Sequence, residues 1–197
     1  MGHLDSPLTP LGVSQARRLA GRLAAIHFDA LYSSDLGRAA ETARIAADAC
    51  KCEIAFDPRL RERNMGIFEG LTRSEMESRF PEERAAYRQK GPSYVIPRGE
   101  SADQRVGRAL QCLDELAARH PSGTLVVVTH GGILMGLFEF VLGLPFGSAN
   151  RYVRANCSWN VFLREPKGWI LETWGDVSHL ETRDAAVVRV PPTILKP

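Results

Sequence analysis

The stretch that most constrains this chain is residues 124–133, an apolar, β-branched run that ends in Thr-His-Gly-Gly. A short continuous apolar run of this kind predicts a strand buried on both faces, as in the centre of a parallel sheet. The two glycines allow a sharp turn into a following helix. His130 is therefore expected at the carboxyl end of a central strand, beside a helix N-terminus suited to an anion. Taken alone, the pattern is equally compatible with a core histidine held by hydrogen bonds.

Composition limits what surrounds this strand. The chain has 197 residues and is 44% hydrophobic, which is enough for one well-filled core. A net charge of +2 gives no electrostatic basis for binding nucleic acid or an anionic membrane. The start of the chain lacks the basic flank and apolar run of a signal peptide, and the longest apolar stretch, residues 133–145, is too short to span a bilayer. We expect a soluble, cytoplasmic protein with neither nucleic-acid nor membrane partners.

The cysteines predict no metal site and no disulfide scaffold. Only four are present, and the Cys50-x-Cys52 pair has no second pair with which to complete a zinc site. Reduced thiols are the interpretation that fits a cytosolic protein.

Strand and helix patterns alternate along residues 1–180. Helices are predicted from a Thr9 cap, from an Asp35 cap, from Thr72, and from a Ser101 cap. Further helices are predicted at 82–89 and 133–142, and strands at 29–34, 54–56, around 126, 158–163 and 169–174. This order predicts an α/β fold, a single-domain three-layer sandwich with a mainly parallel sheet. Residues 181–197 are Pro-rich and are interpreted as a C-terminal tail.

Several familiar catalytic signatures are absent from the sequence. It has no Gly-x-x-x-x-Gly-Lys loop, no Gly-x-Gly-x-x-Gly, no Gly-x-Ser-x-Gly, no His-Glu-x-x-His, and no cysteine followed six residues later by arginine. What remains is a cation, an acid and an imidazole, each just past a predicted strand: Arg38, Glu62 and His130. Because ligand sites in open α/β sheets lie beyond the strand carboxyl ends, these three groups are expected to converge.

The chain resembles the histidine phosphatase (phosphoglycerate mutase-like) superfamily. The resemblance runs from Gly-His-Leu-Asp-Ser-Pro-Leu-Thr at residues 2–9 to Val-Ser-His-Leu at 177–180. Between them lie Ser-Ser-Asp-x-x-Arg-Ala-x-Glu-Thr-Ala at 33–43, Arg-Glu at 61–62, Gly-Ile-Phe-Glu-Gly at 66–70, Gly-Glu-Ser at 99–101 and Val-Val-Thr-His-Gly-Gly at 127–132. Each motif is weak alone, whereas their order and spacing together are specific.

The resemblance implies metal-free, cofactor-free transfer of a phosphoryl group through a histidine nucleophile. Arg38 would clamp the phosphate oxygens, His130 would donate a hydrogen bond to the transferring group, and Glu62 would act as general acid and then base. Weaker candidates for lining the substrate mouth are Gly2, His3, Ser34 and Gly131. Two further residues, Glu69 and His179, are equally compatible with structural roles.

The sequence departs from the family pattern at its start. Family members begin with a strand that runs into Arg-His-Gly, whose histidine is the nucleophile, and this sequence contains no Arg-His-Gly. We therefore expect a chain truncated at its N-terminus by about 20 residues, roughly one strand and its loop. The lost strand would lie beside the strand that precedes His130, so an unpaired apolar edge and an inactive chain are expected.

Three functions stay open at this stage. The first is hydrolysis of a small phosphorylated metabolite, favoured by the phosphatase-like Gly-Ile-Phe-Glu-Gly motif. The second is phosphoglycerate mutase activity, although Arg63-Asn64-Met65 replaces the Arg-His-Tyr that is usual in that branch, and the chain is short for its extra loop. The third is phosphate binding without catalysis. The substrate is expected to depend on the variable segment 72–98, which carries no readable signature.

Overall fold

Three short parallel strands form the sheet on which the molecule is built. The computed structural model describes residues 2–152 and 155–180, and the predicted tail at 181–197 lies outside them. In these residues the first three strands are β1 (Ala30–Ser33), β2 (Ile54–Phe56) and β3 (Leu125–Val128). They pair in the order β2-β1-β3, with Ser33 opposite Val128 at the carboxyl end.

The described residues contain six α-helices. They are α1 (Pro10–Leu23), α2 (Gly37–Cys50), α3 (Arg73–Arg79), α4 (Pro81–Lys90), α5 (Ala102–Arg119) and α6 (Gly131–Val141). Two later strands, β4 (Trp159–Glu165) and β5 (Gly168–Asp176), form a separate antiparallel pair. The predicted α/β class, with its mainly parallel sheet, is confirmed.

The alternation of side chains along β3 explains the layering. Val126 and Val128 pack on the side of α1 and α2, against a cluster that includes Leu23. Leu125 and Val127 face the opposite way, toward a cluster centred on α5. Because neighbouring side chains of a strand point to opposite faces, the same four residues serve two cores.

The burial predicted for β3 is only partly correct. All four residues keep intermediate exposure, whereas a central strand was expected to be buried on both faces. The reason is that β3 pairs with β1 along one edge, while no strand within residues 2–152 or 155–180 pairs with the other edge. β3 is thus an edge strand of the three-stranded sheet.

Helix caps show where local sequence decided the structure. Thr9 and Ser101 cap α1 and α5 as predicted, the latter in a reciprocal capping box with Gln104. The expected cap at Asp35 is wrong, because its carboxylate binds the Arg61 guanidinium, with Oδ1 2.6 Å from Nε.

The cap of α2 comes instead from a distant residue. Asp5 accepts hydrogen bonds from the backbone N–H groups of Gly37 (2.7 Å) and Arg38 (3.3 Å). A carboxylate there satisfies orphan donors and faces the positive end of the helix dipole. The Asp5 contact ties the start of the chain to the helix that carries Arg38.

No helix within the described part of the chain is long and apolar enough to cross a membrane.

Candidate active site

His130 lies at the junction between β3 and α6, as the sequence predicts. It occupies the N-cap position of α6 with extended backbone and is only 6% exposed. Its Nε2 lies 2.7 Å from the Oγ of Ser34, which follows β1. Pairing of β1 with β3 brings the two together, since the Ser34 N–H donates to the Val128 carbonyl.

Burial decides the protonation of His130. Burial, together with the positive charge of Arg38, lowers the pKa of the imidazole to about 4, while the charge of Glu62 opposes both effects. His130 is therefore neutral at pH 7. A neutral imidazole carries one N–H, so the contact with Ser34 leaves one ring nitrogen for another partner.

Glu62 lies against the first turn of α6. Its Oε2 accepts a hydrogen bond from the Gly132 N–H, and its Oε1 accepts one from the Arg63 N–H, both at 2.8 Å. A Cβ added at Gly132 would lie 2.2 Å from Oε1, so only glycine allows this approach. The anion-binding helix start that the sequence predicts is present, and in this structure a carboxylate of the same chain lies against it.

Arg38, in the first turn of α2, extends over the N-terminal segment, which is defined here as residues 2–5. Its Nη2 donates to the Gly2 carbonyl at 2.9 Å and its Nη1 to the Leu4 carbonyl at 3.2 Å. His3 contributes a contact of 2.7 Å between its Nε2 and the Glu62 carbonyl oxygen. The N-terminal segment thus connects Arg38 with Glu62.

Glu69 holds the N-terminal segment in place. Its carboxylate accepts from the N–H groups of His3 (2.8 Å), Leu4 (3.2 Å) and Met65 (2.8 Å). Gly2 has a φ of +48°, and an added Cβ would lie 2.2 Å from the Glu69 Oε1. Of the two roles left open for Glu69, these contacts describe a structural one.

Glu62 lies beside His130 at the first turn of α6, and the N-terminal segment joins Arg38 to Glu62 through the Gly2 carbonyl and His3. Ser34 does not line a mouth, because it is fully buried beneath the His130 ring. Gly131 is exposed, with open space where a Cβ would stand.

His179 lies apart from this group. Its Nε2 contacts the Cys157 carbonyl oxygen at 2.9 Å, and its Nδ1 lies 3.3 Å from the Arg22 Nη1. These contacts tie the end of β5 to α1, which describes a structural role.

The sequence analysis did not identify two arginines of α5 that lie at the site. Arg108 binds the Glu100 carboxylate through Nη2 (2.6 Å) and Nε (2.9 Å), and its Nη2 also donates to the Glu62 carbonyl. Arg105 is 9% exposed and has Nη1 3.7 Å from the Glu62 Oε1. The helical periodicity could have identified Arg105. It lies one turn before Ala109, on the face of α5 that is buried.

A depression of about 380 Å³ lies beside the site, lined by Asp5, Ser6, Pro7, Gly37, Glu41 and Arg44. It borders the N-terminal segment and α2 but includes none of the three converging groups. Within residues 2–152 and 155–180, no group of three or more His, Cys, Asp or Glu side chains could hold a metal ion.

Comparisons with known proteins show the family to which this chain belongs. Residues 1–177 match the family model of the histidine phosphatase superfamily (branch 1). The chain belongs to this superfamily.

Among curated relatives, a probable phosphoglycerate mutase GpmB from Proteus mirabilis is 38% identical, over 91% of this chain and 86% of that protein. Phosphoglycerate mutase-like protein 4 from Arabidopsis thaliana is 40% identical, over 91% and 79% of the two chains. Among solved structures, YhfR from Bacillus stearothermophilus has a TM-score of 0.81 and 33% identity, over 92% and 90% of the chains.

Proposed function

We propose that this protein is a phosphomonoester hydrolase that acts on a small phosphorylated metabolite through a phosphohistidine intermediate. The observation that carries the proposal is the convergence of Arg38 and Glu62 on a buried, neutral His130 at the first turn of α6. A guanidinium, helix amides and an imidazole N–H are donors suited to the equatorial oxygens of a transferring phosphoryl group.

Each residue has a distinct role in the proposed reaction. A histidine nitrogen attacks phosphorus, the ester P–O bond breaks, and Glu62 gives its proton to the leaving oxygen. Water then attacks phosphorus, the P–N bond breaks, and the Glu62 carboxylate takes the water proton. Arg38 holds the phosphoryl oxygens, and His130 donates its hydrogen bond as charge develops on them.

The 197 residues contain no Arg-His-Gly, the motif whose histidine would be the nucleophile in the proposed reaction. We propose that this polypeptide by itself forms no phosphohistidine and is inactive. The edge of β3 that has no partner strand in the described residues supports a second expectation, low stability and a tendency to associate.

Two preparations test the proposal. The codons in frame upstream of Met1 are read, and the longer chain is expressed beside the 197-residue chain. Both are assayed with a panel of phosphorylated metabolites in the presence of a chelator, and acid-labile, base-stable phosphate on histidine is measured after rapid quenching.

We expect turnover and stoichiometric phosphoenzyme only from the longer chain, with an apolar strand and Arg-His-Gly in the added residues. Stoichiometric phosphoenzyme from the 197-residue chain would refute the proposed inactivity. Upstream codons without Arg-His-Gly, together with phosphate binding and no turnover by the folded longer chain, would favour a non-catalytic phosphate-binding protein.

Phosphoglycerate mutase activity is the second candidate, because the Proteus mirabilis relative carries that name. Against it stands Asn64, whose Oδ1 accepts from the Gly66 N–H and stabilises a tight turn where the mutase branch usually has histidine. The assay separates the two with 3-phosphoglycerate, since a hydrolase releases inorganic phosphate and a mutase yields the 2-phosphate isomer.

A further inference from the structure

The N-terminal segment covers Arg38 with its own oxygen atoms. The Arg38 Nη2 donates to the Gly2 carbonyl at 2.9 Å, and its Nη1 donates to the Leu4 carbonyl at 3.2 Å. The Asp5 carboxylate accepts from the Gly37 and Arg38 N–H groups at the start of α2, at 2.7 and 3.3 Å. Two carbonyl oxygens and one carboxylate thus bind donors of the kind that hold a phosphoryl group.

The same segment reaches the other side of the candidate site through His3. Its Nε2 lies 2.7 Å from the carbonyl oxygen of Glu62, whose carboxylate accepts from the Gly132 N–H at the start of α6. The Arg38 guanidinium and these N–H groups of α2 and α6 are therefore bound by acceptors of this chain. A phosphoryl group that binds Arg38 has to displace the two carbonyls of the N-terminal segment.

The Glu69 carboxylate anchors the N-terminal segment to the body of the protein. It accepts from the N–H groups of His3 and Leu4, and it follows Phe68, which is 1% exposed and fixes this turn in the core. Gly2 is buried against Glu69 with a φ of +48°, and an added Cβ would lie 2.2 Å from the Glu69 Oε1. The docked position of the segment therefore depends on glycine at position 2.

The contacts of the segment with Arg38 are of a kind that phosphate can replace. The Gly2 and Leu4 carbonyls are neutral acceptors, whereas phosphate oxygens are charged and form stronger, bidentate hydrogen bonds with a guanidinium. Gly2 has no side chain, and Leu4 and Asp5 are exposed, so withdrawal of the segment uncovers little apolar surface. The segment is held mainly by hydrogen bonds, which can exchange for those of a ligand.

We propose that the N-terminal segment is an autoinhibitory strap, which is closed on Arg38 in this structure and withdraws when a phosphorylated ligand binds. The inference rests on the proposed function, since it takes Arg38 as the cation that binds phosphate. A ligand contacts Arg38 only in the fraction of molecules from which the segment has withdrawn. A segment that is docked in roughly nine molecules of ten weakens the apparent affinity about tenfold.

The test compares two Gly→Ala variants of the 197-residue chain, with inorganic phosphate as the probe and ³¹P NMR as the measurement. Gly2→Ala places a methyl group against the Glu69 carboxylate and changes no charge. We expect it to tighten phosphate binding about tenfold and to speed the solvent exchange of the His3 and Leu4 amide protons. The control is Gly143→Ala, because Gly143 has a φ of +61° and is exposed, with open space around an added Cβ. It is expected to bind phosphate as the wild type does.

Phosphate binding that Gly2→Ala leaves unchanged or weakens would overturn the proposal, and so would equal tightening in Gly143→Ala. Should Gly2→Ala fail to fold by circular dichroism, Glu69→Gln loosens the same anchor and is expected to tighten phosphate binding. Its control is Glu53→Gln, which removes the same charge from an exposed position. Equal tightening in these two variants would also overturn the proposal.

A further variant separates this proposal from the proposed function. Phosphate binding that is equal in the wild type and Gly2→Ala but is lost in Arg38→Met would overturn the autoinhibitory strap and leave the proposed function intact. Phosphate binding that Arg38→Met leaves unchanged would contradict both, because Arg38 would then not be the cation that binds phosphate.

Discussion

The Oγ of Ser34 and the Nε2 of His130 lie 2.7 Å apart, and both side chains are withdrawn from solvent. Ser34 also accepts a hydrogen bond from the Leu36 N–H at 3.3 Å, which fixes its hydroxyl near the carboxyl end of β1. One buried polar contact thus links the two neighbouring strands on which the site is built and holds the imidazole in one orientation.

Removing that contact leaves a buried ring nitrogen without its partner. Ser34→Ala is expected to lower the free energy of unfolding by about 1–3 kcal/mol, the usual cost of an unsatisfied buried polar group. Urea denaturation measures it, with Ser74→Ala on the exposed surface of α3 as the matched control. Equal unfolding midpoints for the two variants would show that the hydroxyl contributes nothing to the fold.

The lowered pKa of His130 predicts a pH dependence of stability. The folded protein binds this proton only near pH 4, whereas the unfolded chain binds it near 6.5. Stability is therefore lost as the pH falls from about 6.5 to 4, by about 3 kcal/mol at the acid end from this group, at 1.36 kcal/mol per pKa unit.

Urea unfolding at pH 7 and pH 4.5 measures the loss. His130→Asn is expected to remove most of it. Burial also lowers the pKa of His179, so His179→Asn serves as the second variant and separates the two contributions. A wild-type pH dependence that His130→Asn leaves intact would contradict a buried, neutral His130.

The sequence predicted the positions of the three candidate groups in the fold better than it predicted the contacts around them. Arg38, Glu62 and His130 could be predicted because each follows a strand end, and parallel strands bring their carboxyl ends to one edge. Ser34 was predicted to line the mouth of the site, whereas its side chain is buried. A sequence does not show which side chain is covered by another.

What the sequence could not give were contacts between distant segments. Asp5 caps α2 across 32 positions of the chain, while Asp35, the local candidate, binds Arg61. Arg105 was not identified from the sequence, because its partner Glu62 is 43 positions away and only the fold brings the two together. Local patterns predict elements, but pairing across elements depends on tertiary geometry.

Arg38 is expected to be irreplaceable by lysine in phosphate binding. Its two Nη groups diverge to the carbonyls of Gly2 and Leu4, a fork that a single ammonium cannot reproduce. Arg38→Lys should weaken the binding of inorganic phosphate, followed by ³¹P NMR, by about tenfold or more. Arg44→Lys, on the same helix beside Phe56, is the control and is expected to bind as wild type does. Phosphate binding by Arg38→Lys as tight as that of the wild type would show that charge alone matters, and equal loss in both variants would show that the effect is not specific to Arg38.

The cap between Asp5 and α2 gives the last prediction. Asp5→Ala removes the acceptor of the Gly37 and Arg38 N–H groups and is expected to lower the free energy of unfolding by about 1 kcal/mol, the usual effect of losing an N-cap side chain. Asp48→Ala, in the last turn of the same helix, removes a carboxylate from the negative end of the dipole and is expected to be neutral or slightly stabilising. Thermal unfolding at low salt compares the two.

Both variants remove one negative charge, but from opposite ends of α2. A loss of stability in Asp5→Ala alone therefore depends on the position of the carboxylate and not on the net charge. Asp5→Ala also frees the N-terminal segment from α2, so the amide protons that Glu69 accepts from His3 and Leu4 are expected to exchange faster with solvent. Unchanged exchange at those two amides would show that Glu69 alone holds the segment in place. Faster exchange would show that the contact of Asp5 with α2 also holds in place the N-terminal segment, against which Arg38 lies.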